Sequence, residues 1–167
     1  QRLLLKHRIE ISEVEDIEED TIEMSEVFSS ATFARTIIFA IGKLNFCKIY
    51  FTRLPSAKAR FTFIGREHEI MATIQLCKII IKSVSREARK GAKIYSHDKS
   101  YTRSCENGAS YRISERAYDI IKNVKENPEA IMTDIKVSSA TSLVIANSYD
   151  EAEEKNAKYM EGTGVKI

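Results

Sequence analysis

Between Arg66 and Lys90, the residues Ile70, Ile74, Cys77, Ile81, Val84 and Ala88 recur at spacings of 4, 3, 4, 3 and 4. An α-helix turns once every 3.6 residues, so this pattern puts all six on one stripe and leaves the charged residues between them on the other side. At about 1.5 Å per residue, a helix of this extent is roughly 35 Å long. Such a stripe needs a sheet or other helices to cover it, and the flanking sequence has to supply them.

Upstream, Phe46 to Thr52 alternates, with Cys47, Ile49 and Phe51 on one face and Phe46, Lys48 and Tyr50 on the other. That is the period of a strand. Arg53 to Ala59, with Pro55 and Ser56, suits a loop, and Arg60 to Ile64 alternates again around Phe61 and Phe63 before Gly65 stops it. The two runs predict an antiparallel hairpin over 46–64. From Ser25 to Leu44, the residues Phe28, Ala31, Ala34, Ile38 and Ile41 predict a core-facing helix that ends near Gly42 and Asn45.

Downstream, Gly91 to Arg103 is polar, basic and without period, which predicts an exposed loop. Ala109, Ile113, Ala117, Ile120 or Ile121, and Val124 predict a helix over Ser104 to Lys125, closed by Asn127 and Pro128. The apolar run Leu143, Val144, Ile145 predicts a buried strand near 142–146, and Asp150 to Met160 a polar terminal helix released by Gly162 and Gly164. The sum is an α+β fold: a small antiparallel sheet, made of the 46–64 hairpin and the strand near 142–146, packed against long helices.

The beginning of the chain reads differently. Gln1 to Ile11, with Leu3, Leu4 and Leu5, looks like the end of a helix and starts mid-pattern without Met, which leads us to expect an upstream segment. Glu13 to Glu26 then holds eight acidic residues and no Lys or Arg, with apolar residues too sparse for much of a core face, so it reads as a linker. The expected division is 1–24 for the helical end and acidic linker and 25–167 for the α+β domain.

Composition narrows the setting. At 43% hydrophobic and 30% charged residues the chain has an ordinary globular balance. Its longest apolar stretches, such as Thr36 to Ile41, fall far short of the roughly 20 residues that cross a bilayer, and Lys6, His7 and Arg8 interrupt any secretory h-region. The reading is no membrane. Three widely spaced cysteines, Cys47, Cys77 and Cys105, suggest neither a disulfide framework nor a zinc ribbon, and a cytoplasmic location is expected.

Most catalytic motifs are missing. His68 and Glu69 begin like the zinc motif HExxH, but Ala72 stands where the second imidazole belongs. Glu67 and Glu69 have a plainer role at the positive end of the helix dipole. There is no phosphate-binding glycine loop, dinucleotide turn or nucleophile elbow. Cys77 lies on the apolar stripe as a small core residue. Asp134, Ile135 and Lys136 place a carboxylate and a lysine on one strand face, as metal-dependent nucleases do, with Asp119 as a second carboxylate by spacing alone. No cofactor or resident metal is called for.

Charge gives the stronger lead. Lys43 to Arg103 holds 14 basic residues against four acidic ones. Arg60, Arg66, Lys78, Lys82, Arg86, Arg89, Lys90, Lys93 and Arg103 gather around the hairpin, the long helix and the loop after it, with Tyr95 and Tyr101 interleaved. Lysine and arginine neutralise phosphates and tyrosine stacks on unpaired bases, so DNA or RNA is the expected partner. The bland alternative is a solvated helix face. The acidic segment is a candidate internal competitor for the same surface.

The order of these pieces also resembles a family. LLLKHRIEI over residues 3–11, ahead of an acidic stretch, is similar to the end of a small helical domain in phage and prophage proteins, domain of unknown function 2786. Residues of about 25–125 resemble its companion C-terminal domain: a helix, a hairpin ending in Gly65, Arg66 and Glu67, a long helix, a variable loop, and a further helix. Cys105, Glu106 and Asn107 stand where that pattern has an aromatic. The resemblance implies a fold and a phage or mobile-element setting in the host cytoplasm, and no catalytic residues. Three readings result: a non-catalytic nucleic-acid-binding module; a protein-interaction module, either a host-factor inhibitor or a self-associating subunit; and a metal-dependent nuclease around Asp134 and Lys136.

Overall fold

The computed structural model describes residues 20–95, 98–126 and 139–163, with side chains at 139–148 and 163 left aside. The element order is β1 (Ile22–Ser29), α1 (Thr32–Leu44), β2 (Lys48–Leu54), β3 (Lys58–Gly65), α2 (Glu67–Tyr95), α3 (Lys99–Glu126) and α4 (Ser139–Thr163). The three strands form an antiparallel sheet in the order β1-β3-β2. This is an α+β fold.

β3 is central because it is the most apolar strand and must be covered on both edges. Its register sets Phe61 between Glu26 of β1 and Phe51 of β2, and Phe63 between Met24 and Ile49. Strand alternation then turns Ala59, Phe61 and Phe63 to one face, where α1 supplies Ala34, Ile37, Ile38 and Ile41 and α2 supplies Ile70, Ile74 and Cys77. Phe61 and Phe63 are fully buried. Each removes a large apolar surface from water, a stabilisation of about 1.5–3 kcal/mol, and Phe28 and Phe51 meet Phe61 with ring centroids 5.7 and 5.4 Å away.

α3 packs on α1 and α2, and the C-terminal part of α4 closes the structure at the junction of α1 and β2. There Tyr149 stacks on Phe46 at 4.1 Å and donates its hydroxyl to the Leu44 carbonyl, while Asn156 donates to the Phe46 carbonyl at 2.9 Å. Gly42 is required for the α1–β2 approach, since a Cβ there would lie 2.1 Å from Ile49 Cδ1 and 2.9 Å from its Cγ1.

Several sequence expectations are corrected. The helix expected from Ser25 begins only at Thr32, and Ile22–Ser29 is a strand. Ile22, Met24 and Phe28 repeat every second residue on the core face, a pattern hidden because Glu26 interrupts it and Phe28 also fits the helical spacing of α1. The end of the acidic run is therefore the third strand of the sheet, and the boundary at 24/25 falls inside it. The strand expected near 142–146 is part of α4. A short apolar run does not distinguish strand from helix, and no Gly or Pro interrupts residues 129–161. The loop expected at Gly91–Arg103 is mostly helix, since α2 runs to Tyr95 and α3 starts at Lys99. Here the contact is made by small residues: Ala88 and Ala92 are buried, and Tyr101 of α3 lies over Gly91.

Candidate nucleic-acid interface

Helical geometry decides where the cations of α2 go. At 100° per residue, Lys78, Lys82, Arg86, Arg89 and Lys93 fall within an arc of roughly 80° that begins about 80° round from Ile70 and Ala88 and ends opposite them, rising about 22 Å along the axis, with Lys90 roughly 40° further round. All six are exposed.

Two carboxylates touch this strip. Lys78 Nζ lies 2.6 Å from Glu26 Oε2, across from β1. Glu87 takes Arg86 at 3.0 Å and Lys90 at 3.1 Å. Hydrogen bonding to Lys78 holds the Glu26 carboxyl below its usual range, and hydrogen bonds from Lys90 and Arg86 do the same for Glu87. Among the described residues, Lys82, Arg89 and Lys93 make no ion pair. Six cations therefore face two carboxylates.

The strip leads to the tip of the α2–α3 hairpin. Tyr95 is 76% exposed there, its ring centroid 6.5 Å from that of Tyr101 and tilted by 45°. A hydrogen bond to Cys105 is the first cause of the raised pKa of the Tyr101 phenol. Arg103, exposed, lies two residues further on. The strip on α2 thus leads from Lys78 to Lys93 and on to Tyr95 and Tyr101 at the tip, whereas Arg103, about 200° round α3 from Tyr101, is on the side of α3 away from α2.

Two more sequence candidates stand apart from the strip. Arg60 pairs with Val27 and Thr52 in the sheet and alternates with Ala59 and Phe61, so it faces away from α1 and α2. Arg66 sits before α2 and lines a small recess with Glu69, Glu151 and Lys155. Sequence reading also missed that Glu26 neutralises Lys78, because the pair is 52 residues apart and depends on β1 being a strand.

The catalytic alternatives gain no geometry here. Asp134 and Lys136 lie outside the described residues, and Asp119 is exposed on α3. His68 is exposed in the first turn of α2, and among the described residues no three His, Cys, Asp or Glu side chains gather in a metal-binding group. Burial pushes the Cys77 thiol up to about 12, which leaves it protonated and inert as a nucleophile. No described helix is long and apolar enough to cross a membrane. Comparison of the chain with protein-family models, with curated proteins and with solved structures finds no match.

Proposed function

We propose that this chain is a non-catalytic nucleic-acid-binding module that lays its ligand along the outer side of α2 and over the tip of the α2–α3 hairpin. The observation that carries the reading is the strip itself: Lys82, Arg89 and Lys93 are exposed on one side of a single rigid helix, and no carboxylate among the described residues pairs with them. Ammonium and guanidinium groups held at fixed spacing displace condensed counterions from a phosphate backbone, and the gain in counterion entropy drives association. Tyr95 adds a ring face for an unpaired base, which favours single strands or junctions over uninterrupted duplex. A phage or mobile-element setting, in the host cytoplasm, fits the resemblance carried by residues 3–11 and the Gly65, Arg66, Glu67 turn.

The test is fluorescence anisotropy with labelled single-stranded and duplex oligonucleotides over a range of salt. Three phosphate contacts give a log–log slope of about −2.1 to −2.7, so affinity falls about 20- to 40-fold between roughly 50 and 200 mM salt. Absence of saturable binding at the lowest salt would remove the proposal. One observation favours a second reading, contact with a protein: Ile94 is 74% and Tyr95 76% exposed side by side at the hairpin tip. Sedimentation equilibrium that finds a stable oligomer, lost in Ile94→Ser, with no oligonucleotide binding, would favour that reading instead.

A further inference from the structure

A cavity lies elsewhere, at the junction of four elements. The end of α1 gives Lys43, the start of β2 gives Lys48, the last turns of α3 give Tyr118 and Lys125, and α4 gives Glu153. Its volume is about 200 Å³. That is below the roughly 300–1,000 Å³ of clefts that hold drug-sized ligands and suits a smaller ligand such as a phosphorylated sugar.

Three lysines from three separate elements converge on this space. Lys125 is paired with Asp150 at 2.5 Å, whereas Lys43 and Lys48 have no carboxylate partner among the described residues. Lys43 Nζ instead sits 5.8 Å from the centroid of the Tyr118 ring, which steadies the ammonium group without neutralising it. Two like charges brought to one cleft repel each other, and a dianion between them relieves that repulsion.

The floor of the cleft follows from how α1 ends. Phe46 lines it with a φ of 62°, the left-handed region that disfavours bulky side chains. That conformation is over-determined by the Tyr149 stack and by the hydrogen bond from Asn156 to the Phe46 carbonyl. It is also the turn that ends α1, with the Phe46 N–H donating to the Lys43 carbonyl and the Cys47 N–H to the Gly42 carbonyl, so the same cap that starts β2 shapes the cleft floor.

The geometry points to a site for a small phosphorylated ligand, with the phosphoryl group between Lys43 and Lys48 and a ligand hydroxyl donating to the Glu153 carboxylate. A pentose phosphate has both groups at the size the cleft accepts. The site is on a different part of the molecule from the α2 strip, and it stands whether or not the chain binds nucleic acid.

Calorimetric titration of the full chain with ribose 5-phosphate, inorganic phosphate and ribose, at constant ionic strength, tests this assignment. The expected result is saturable binding of ribose 5-phosphate with a Kd below about 1 mM, weaker binding of inorganic phosphate, and none of ribose. Lys43→Met with Lys48→Met should weaken ribose 5-phosphate at least about tenfold with the circular dichroism spectrum unchanged. Glu153→Gln should weaken ribose 5-phosphate but leave inorganic phosphate alone, which keeps the test decisive if the double variant folds poorly. Lys82→Met with Arg89→Met, on α2, should change nothing. No saturable heat with either phosphorylated probe would overturn the proposal, as would equal affinity in the cleft variants or equal loss in the α2 variants.

Discussion

Thr73 sits at the point where α1, β2 and α2 meet, and replacing its hydroxyl by a methyl group gives a sharp test of how the fold is held. The side chain is completely buried. Its hydroxyl donates to the Glu69 carbonyl at 2.7 Å and accepts from the Asn45 amide at 3.1 Å. Thr73→Val keeps the shape and opens no cavity, so the change isolates the polar contribution. The Glu69 carbonyl stands inside α2 and keeps its place in the helical ladder. Asn45 is only 9% exposed, so its amide N–H loses its acceptor in a place water barely reaches.

A buried donor left without a partner costs about 1–3 kcal/mol. For a domain of this size that is a fall in Tm of roughly 2–12 °C, at about 2–4 °C per kcal/mol. Thr73→Ser keeps the hydroxyl and loses one methyl, a smaller change of about 1 kcal/mol. Urea melts of both variants, together with Thr73→Val on an Asn45→Ala background, measure the coupling directly. Thr73→Val should be the worse single change, and most of its cost should vanish once Asn45 is removed. A neutral or stabilising Thr73→Val, or full cost retained without Asn45, would refute the reasoning.

Three further outcomes come from the charge and thiol chemistry. The Glu26 carboxyl titrates below its ordinary 4.5 because of Lys78. A depressed acid stabilises the folded state at pH above the unfolded value and loses that contribution as pH falls through the folded one. Melts across pH should show Glu26→Gln less stable than the parent by about 0.2–1 kcal/mol at neutral pH, since the pair is largely exposed, and the gap should close in acid. The same variant frees Lys78, so its oligonucleotide binding should gain a salt slope steeper by about 0.7–0.9; an unchanged slope would place Lys78 outside the interface. In thiol titration, Cys105, which is partly exposed, should react first, and Cys77, buried and raised to about 12, only on unfolding. Reaction of Cys77 at the rate of Cys105 would contradict its burial.

The long helix and the hairpin were legible in the sequence because each has a single strong period, with Pro55 at the hairpin turn and Gly65 between the hairpin and the helix. β1 was not, because one position on its core face is Glu26, whose charge is tolerated only through an ion pair with Lys78 that the sequence does not show. The end of α2 was lost for a different reason. Its packing uses Ala88, Gly91 and Ala92, and small residues give no hydropathy signal even where two helices come closest. For the basic surface, spacing along one helix was enough to place Lys78, Lys82 and Arg89 together, whereas Lys93 was expected in a loop and joins them only because α2 runs on to Tyr95. Arg60 and Arg66 were grouped with them by nearness in sequence alone, yet strand alternation sends Arg60 to the far face of the sheet. Lys43, Lys48 and Lys125 carried no signal at all, since their meeting depends on how the ends of three elements assemble.

A comparison of two triple variants with equal loss of charge goes most directly to whether the α2 strip is the functional surface. One carries Lys82→Gln, Arg89→Gln and Lys93→Gln; the other carries Arg60→Gln, Arg66→Gln and Lys122→Gln. Measured against the same single-stranded oligonucleotide over salt, the first should lose the slope of about 2.1 to 2.7 that three contacts supply, with affinity at low salt falling at least about tenfold, and the second should stay near the parent. Equal losses in both variants would mean that binding depends on net charge alone, and the strip would have no special standing.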